Sequence, residues 1–410
     1  GVDIASEPIA RGLGIVAELG LENIELRVGD VTRLDPALGE FDYIIAHGVY
    51  SWVPEEVSDA LLRICRALLA PGGVIFISYN VLPGWRMLQP ARDVFFALIP
   101  ADQPPIARVA QARSLLETID CNPDDQGLYA NAIRAARQRI EGLTDDLLFH
   151  EFMEDSNRPV TFDDFDDCAA GHSLAYLGDA EFSTMFPQNF PQPYAQALSA
   201  HAGANVLKAE QLNDVLSGRT FRQSLLIGSE NQPEVVRQIS PERLAGLYLS
   251  GSGSLRLDRG EGSISIVDAA SREMRSTNAA VGEAAERLFA ALPNATAFDD
   301  LIEGTTGDDR AAIHDALLKL VTSGMLVAAT SPMASGKLTD QPLASRLVRW
   351  DCDAGLPTTA NPRHEFIEID DISRLLVPLL DGTRDQVTAR SKVFDAAAAK
   401  IVGVPATPNK

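Results

Sequence analysis

Two carboxylates, set one supersecondary unit apart, carry the first chemistry of this 410-residue chain. Asp3 lies in GVDIA, Gly1 to Ala5, which reads as the stub of a strand, and Asp30 closes IELRVGD, which reads as another, so an acid stands at each strand end. In an open α/β sheet, ligands bind beyond the carboxyl ends of the strands, so both acids are expected to face one crevice. A carboxylate has two accepting oxygens, which at Asp3 suits the paired hydroxyls of a ribose. Asp30 followed by Val31 suits an adenine, the carboxylate accepting from the exocyclic amine and the backbone amide donating to a ring nitrogen. The structural alternative for either acid is the N-cap of a following helix or a solvated turn.

The elements that would position such a site are legible around it. FDYIIAHGVYSW, Phe41 to Trp52, and GVIFISY, Gly73 to Tyr79, are β-branched and aromatic runs bounded by Gly or Pro. Between them, Pro54 to Leu69 repeats apolar residues at Val57, Leu61, Ile64, Cys65, Leu68 and Leu69, a helical spacing. The order is strand, helix, strand, as in a doubly wound, Rossmann-like parallel sheet. Gly1 stands in place of Met, at what reads as the end of a strand, so the natural N-terminus is expected upstream.

Length alone predicts two or three domains. A 46% hydrophobic and 22% charged composition is that of a globular protein. A formal charge of −22 argues against general nucleic-acid binding, which needs clustered Lys and Arg, and suits solubility or a basic partner. Cys65, Cys121, Cys168 and Cys352 form no CxxC pair, which predicts no zinc cluster and a reducing, cytoplasmic setting. No apolar run approaches the roughly 18 residues a membrane span needs, and no signal peptide opens the chain.

The sheet region is expected over residues 1–100. Residues 101–230 read as mainly helical: Ile106 to Ile119, Tyr129 to Ile140, Asp145 to Met153, Phe162 to Ala170 and Ala209 to Leu216 all have amphipathic spacing. Short strands are expected in 231–280, at SLRLDR, SISIV and REMRS. Residues 281–402 read as a winged-helix-like α+β domain, with helices at Glu283 to Leu292, Phe298 to Glu303 and Asp309 to Ser323, then a strand at Met325 to Thr330. The third helix has few of the basic residues a DNA-reading helix uses, so it is read as a packing or partner-binding module. A further helix, Ile372 to Leu380, ends at Asp381 and Gly382, and 403–410 is a frayed tail.

Two nucleotide-type cofactors fit acids at consecutive strand ends: a dinucleotide or S-adenosylmethionine. Short-chain dehydrogenases also carry an Asp-Val pair, but they need a Tyr with Lys four residues later. The seven tyrosines here are followed at that spacing by His47, Pro54, Pro83, Ile133, Ala180, Leu198 and Ser252, so the dehydrogenase reading fails.

The residues now carry a resemblance. Residues 1 to 95, through FDYIIAHGVYSWVP, LLRICRALLAPGG and ISYNVLPGW, resemble the second half of a class I S-adenosylmethionine-dependent methyltransferase domain. DDLLFHEFMEDSNRPVTFDDF, LAYLGDA and RTFRQSLL are similar to the methyltransferase regulatory domain that accompanies it in a bacterial group. NPRHEFIEI to LLVPLLDGTRD resembles the C-terminal winged-helix region of bacterial protein-lysine methyltransferases. The family's glycine-rich loop has no counterpart and is expected about 30 residues upstream of Asp3. The resemblance implies S-adenosylmethionine as cofactor, with Asp3 and Ile4 at the ribose, Asp30 and Val31 at the adenine, and Ala46, His47 and Gly48, on to Tyr50, lining it beside the reacting methyl.

It also implies a protein substrate, lysine favoured, with a homodimer as an option. Methyl transfer from a sulfonium is an in-line displacement that depends chiefly on alignment and a neutral nucleophile. Desolvation among Tyr50, Trp52 and Tyr79 would favour the neutral amine, aromatic faces attract cations, and His47 is a candidate general base. The same aromatics also read as core, and His47 as a histidine satisfied at a helix start. AHGVY stands where amide and adenine N-methyltransferases carry Asn-Pro-Pro-aromatic, which discounts those substrates. A small-molecule methyltransferase and a non-catalytic scaffold are the alternatives. HEFME at His150 lacks the second histidine of a zinc site and reads as an acidic helix face, GSGS at Gly251 as a turn, and Cys65 as core.

Overall fold

A computed structural model of the protein describes residues 1–119, 127–251, 254–332, 339–362 and 364–402. Cys121, the central Ser252 and Gly253 of the GSGS turn, and the tail 403–410 lie outside the described residues. The chain begins with β1 (Val2–Asp3), α1 (Ser6–Leu19) and β2 (Arg27–Val28). It continues through β3 (Phe41–Ala46), α2 (Glu55–Leu68) and β4 (Leu69–Asn80). Five helices follow: α3 (Gln89–Leu98), α4 (Pro105–Ile119), α5 (Leu128–Glu141), α6 (Asp145–Met153) and α7 (Phe162–Gly171). Then come β5 (Leu174–Asp179), α8 (Gln192–Ala202), α9 (Val206–Ser217) and β6 (Phe221–Gly228).

Two compact units result, one of Val2–Ile4 with Gly29–Gln238, the other of Gly1 with Ala5–Val28 and Ile239–Lys410. The first is built on a four-stranded sheet in the order β3-β4-β6-β5. β3 and β4 are parallel, with Ile44 beside Ile75 and Ala46 beside Ile77, while β6 runs antiparallel to both neighbours. Helix α2 buries Leu61, Ile64, Cys65 and Leu68 of the spacing read from sequence, together with Leu62, while Val57 is half-buried and Leu69 already belongs to β4. One core joins Leu62, Ile75, Ile77, Tyr79, Phe165 and Tyr176. A second joins Trp85, Phe95, Leu116, Ile133 and Phe152 from the helices.

This sheet takes strands from both sides of residue 100. The stretch 101–230, read as mainly helical, supplies β5 and β6 to the same sheet as β3 and β4. LAYLGD is buried on both faces and FRQSLLIG carries Arg222, Gln223 and Ser224 in its first half, so neither shows the alternation that betrays a half-exposed strand. Helix α3 has no counterpart among the expected helices, although Pro90 in its first turn is a start signal.

In the second unit, β7 (Tyr248–Gly251) precedes a meander of β8 (Arg256–Gly260), β9 (Ser263–Val267) and β10 (Glu273–Ser276). Helix α10 (Ala279–Ala291), strand β11 (Thr296–Ala297), helices α11 (Phe298–Leu301) and α12 (Gly307–Thr322) and strand β12 (Leu326–Ala329) follow. β7 pairs with both β11 and β12 over a core of Leu249, Leu288, Phe298, Ile313 and Leu320. The last elements are α13 (Arg346–Asp353), β13 (Thr358–Ala360), β14 (Phe366–Glu368), α14 (Asp371–Leu376) and α15 (Gln386–Val402). The helix expected over Ile372 to Leu380 passes into a 3-10 turn at Val377–Leu379, because Pro378 has no N–H to continue it. Among the described residues no helix is long and apolar enough to cross a membrane.

Candidate functional site

The two strand-end acids are brought together by the main chain. The Gly29 N–H donates to the Asp3 carbonyl at 2.9 Å, so the segments leaving β1 and β2 run side by side. Glycine is needed at 29, since a Cβ there would stand 2.9 Å from the Val2 side chain. Asp3 and Ile4 are exposed, while Asp30 and Val31 are half-buried. Asp30 already has a structural role. Its Oδ1 accepts from the Thr32 N–H at 2.9 Å and the Thr32 hydroxyl at 2.7 Å, capping the turn Val31–Arg33. Those bonds, the hydroxyl's first, hold its pKa below the usual carboxylate value. The capping role and the adenine role are compatible, since Oδ1 takes both Thr32 bonds and Oδ2 meets only Arg33, at 3.9 Å. The pair thus fits a nucleoside laid across two neighbouring strand ends.

The segment after β3 lies at the carboxyl end of the same unit. Ala46 is buried, His47 exposed, and Gly48 turns at φ +67°, where its N–H donates to the Ser78 hydroxyl of β4 at 2.8 Å. The His47 ring stacks on Phe76 with centroids 5.9 Å apart and meets Phe221 edge-on. Tyr50 is only 4% exposed, packed among Tyr79 and Phe165, and burial, with Cys168 next to it, pushes its pKa well up. Tyr79 is fully enclosed and bonded to Ser224. These two tyrosines are core side chains beneath the site, not aromatic walls of it. Trp52 is half-buried and meets the His150 ring in a tilted contact with centroids 4.3 Å apart.

Sequence reasoning missed three features here. Ser51 ties the site together: its hydroxyl accepts from the Asn80 N–H at 2.8 Å and its carbonyl from the Arg158 N–H at 2.7 Å. Trp52 meets His150 across nearly a hundred residues of chain, a partnership no local spacing reveals. A buried ionic cluster also stands behind β6. Arg222, wholly enclosed, holds Asp214 through Nε at 2.7 Å and Glu210 through Nη2 at 2.7 Å, and Arg219 holds Asp179 at 2.8 Å. Among the described residues no three His, Cys, Asp or Glu side chains converge as metal ligands, and Cys65, Cys168 and Cys352 are free thiols.

Asp3 ends β1 and Asp30 follows β2, strands that pair in a two-stranded sheet of their own, while β3, β4, β6 and β5 form the larger sheet, and comparisons with known proteins bear on the class. Residues 1–73 match the family described as "Methyltransferase domain", 144–227 "Predicted methyltransferase regulatory domain", and 340–409 "PKMT, C-terminal winged helix domain". Three separate stretches of the chain thus match, in order, a methyltransferase domain, a methyltransferase regulatory domain and a winged-helix domain of the PKMT kind. The chain is similar to PKMT2 from Rickettsia typhi, whose structure in complex with AdoHcy superposes with a TM-score of 0.84 at 26% identity, covering 100% of this chain and 82% of that one. The uncharacterized protein RP789 of Rickettsia prowazekii (strain Madrid E) is 36% identical over 227 residues, 55% of this chain and 41% of that protein. A second protein of that organism, RP028, is 33% identical over 166 residues, 40% of this chain and 66% of its own length. The matched stretch thus spans well under half of the first relative.

Proposed function

We propose that the protein transfers a methyl group from S-adenosylmethionine to a protein side chain, lysine favoured, with the nucleoside held at Asp3 and Asp30. The likeness to PKMT2, solved with AdoHcy and aligned over the whole of this chain, carries the reading. The placement of Asp3 beside Gly29, with Asp30 one residue further on, supports it locally.

The residues divide the work. Asp3 accepts from the ribose hydroxyls, Asp30 and the Val31 amide address the adenine, and Ile4 lies along the nucleoside. The cofactor supplies an electrophilic sulfonium methyl. A lysine ammonium must lose its proton before its lone pair can attack, and His47, exposed at the end of β3, receives that proton. Gly48 fixes the backbone behind His47 through Ser78. Trp52, braced by His150, offers an aromatic face to the incoming cation. Tyr50 acts from within the core, positioning this segment rather than touching substrate.

The test is calorimetric titration of AdoHcy into the protein, followed by transfer of label from methyl-tritiated S-adenosylmethionine to protein and to metabolite fractions. Binding with label in lysines of the protein fraction is expected. Label confined to small molecules, or no binding, would overturn the proposal.

A further inference from the structure

Arg158, in the loop between α6 and α7, grips the chain on both sides of Trp52. Its main-chain N–H donates to the Ser51 carbonyl at 2.7 Å, within the turn Tyr50–Trp52. Its guanidinium reaches the start of α2, Nη1 donating to the Ser58 hydroxyl at 3.3 Å and Nη2 to the Glu55 carboxylate at 3.1 Å. The Ser58 hydroxyl donates its own proton to the Glu55 carbonyl at 2.9 Å, which leaves its oxygen to accept from Arg158. A lysine would bring one ammonium on a single arm, whereas the planar guanidinium meets both acceptors at once.

The clamp is itself anchored on the sheet. Val160 N–H donates to the Asn80 carbonyl at 3.1 Å and Leu82 N–H to the Val160 carbonyl at 2.8 Å, a parallel bridge between Val160 and Val81 at the end of β4. On the other side of Arg158, the Asn157 amide oxygen accepts from the Asn80 amide at 3.1 Å. β4 is thereby the common reference for two side chains that the proposed reaction uses. His47 is referred to it by its neighbour Gly48, through Ser78. Trp52 is referred to it by Arg158, about a hundred residues further along the chain. The Trp52 ring meets His150 of α6, so one stretch, 150–158, holds both the main chain and the indole of Trp52.

The clamp contributes direction rather than stability. Glu55 is 81% exposed and the Arg158 side chain 36%, so water screens the ion pair and little folding energy rests on it. Direction matters because a ring attracts a cation only when the cation lies over its face, within about 6 Å of the centroid. A swing of the segment between Ser51 and Glu55 would move that face off the acceptor. Asp30 and His47 are placed by other bonds, to Thr32 and through Gly48.

Resting on the methyltransferase reading, we infer that Arg158 is a positioning residue for the acceptor: by holding the chain on both sides of Trp52 it aims the indole at the incoming lysine ammonium, and so governs acceptor binding rather than cofactor binding or proton removal.

The experiment compares wild type with Arg158→Gln and Arg158→Lys, using poly-L-lysine as acceptor and methyl-tritiated S-adenosylmethionine as donor. The bond to Ser51 comes from the main chain and survives both substitutions, so the variants release only the α2 side of the clamp. In Arg158→Gln the KM for poly-L-lysine rises at least threefold, kcat and its pH profile stay within twofold, and the AdoHcy dissociation constant is unchanged. Arg158→Lys, which keeps a cation beside Glu55, falls between. Glu55→Gln, at the exposed end of the clamp, raises KM in the same direction and keeps the test open if Arg158→Gln fails to fold. Protein labelled with ¹⁵N at the indoles of Trp52, Trp85 and Trp350 reports the positioning without any acceptor. The Trp52 signal moves in Arg158→Gln, and the other two stay in place. A merely structural role would lower kcat and the AdoHcy-binding fraction together and leave KM alone. That result, or a Trp52 signal identical in Arg158→Gln and wild type, would overturn the inference. Wild type that fails to bind AdoHcy, or binds it and moves no label to poly-L-lysine, would overturn the lysine-methyltransferase reading and the inference with it, even if the Trp52 signal had moved.

Discussion

Asp3 and Asp30 show how one residue type serves two masters. Asp30 holds a turn as well as being proposed to meet the adenine, and its Oδ1 takes both Thr32 bonds. Asp3 lies exposed at the end of β1 with its carbonyl committed to Gly29. Replacing Asp3 by Ala therefore removes a bidentate acceptor and should weaken AdoHcy binding by about 1.5–3 kcal/mol. Asp30→Ala should lower Tm as well, because a lost cap costs about 1 kcal/mol, and should cost less affinity than Asp3→Ala. Calorimetry on the two variants decides the matter, and equal affinity in Asp3→Ala and wild type would refute the ribose assignment. Both acids were legible in the sequence because a polar residue ending a β-branched run is a local signal. The capping bond is local too, and could have been read from Asp-Val-Thr. The enclosure of Tyr50 and Tyr79 stood in the sequence as one of two readings, and the partners that decide it, Phe165 and Ser224, lie far along the chain.

Elements were readable where their signals were local. Helix α6 begins and ends where the sequence placed it, with the Thr144 hydroxyl over the Leu147 N–H as its cap. β6 was hidden because Arg222, second in the strand, is tolerable in a buried strand only when Asp214, Glu210 and Asp179 arrive from two other elements. That dependence predicts the cost of breaking it. Arg222→Met leaves three buried carboxylates with Arg219 alone, and should destabilise the sheet unit by about 3–5 kcal/mol in urea unfolding. A loss below about 1 kcal/mol would mean water enters the cluster. A second element carries its own pH signature. Asp381, in the turn after α14, accepts from the Thr383 hydroxyl and N–H and pairs with Arg384, which lowers its pKa from 3.8 to about 2. With the folded value below the unfolded one, the turn's stabilisation is complete above about pH 4 and disappears as pH falls through 2. The Asp381 carboxyl carbon, followed by NMR, should titrate near 2, and a midpoint near 3.8 would show the turn is open in solution.

At the scale of the molecule, proximity in sequence does not decide membership of a unit. Helix α1 follows directly on the strand that carries Asp3, yet it groups with residues from Ile239 onward. The reason lies in α13: the Trp350 indole N–H donates to Glu18 at 2.6 Å and Arg346 to the Leu19 carbonyl at 3.0 Å, partners more than three hundred residues away. No periodicity in either helix reveals such a pairing, whereas the amphipathic stripes that build each local core are visible residue by residue. Two units with separate hydrophobic cores should give two calorimetric transitions, since cooperativity belongs to a core and its contacts. Trp350→Phe removes the indole donor and keeps the ring, so the charge-assisted bond to Glu18 is lost at a cost of about 1.5–3 kcal/mol. That loss should lower the transition of the unit holding α1 and α13, and leave in place the one that AdoHcy raises. If Trp350→Phe shifted the AdoHcy-sensitive transition by the same amount, α1 would answer to the strand it follows rather than to the helix it meets, and the division of the chain drawn from its contacts would fail.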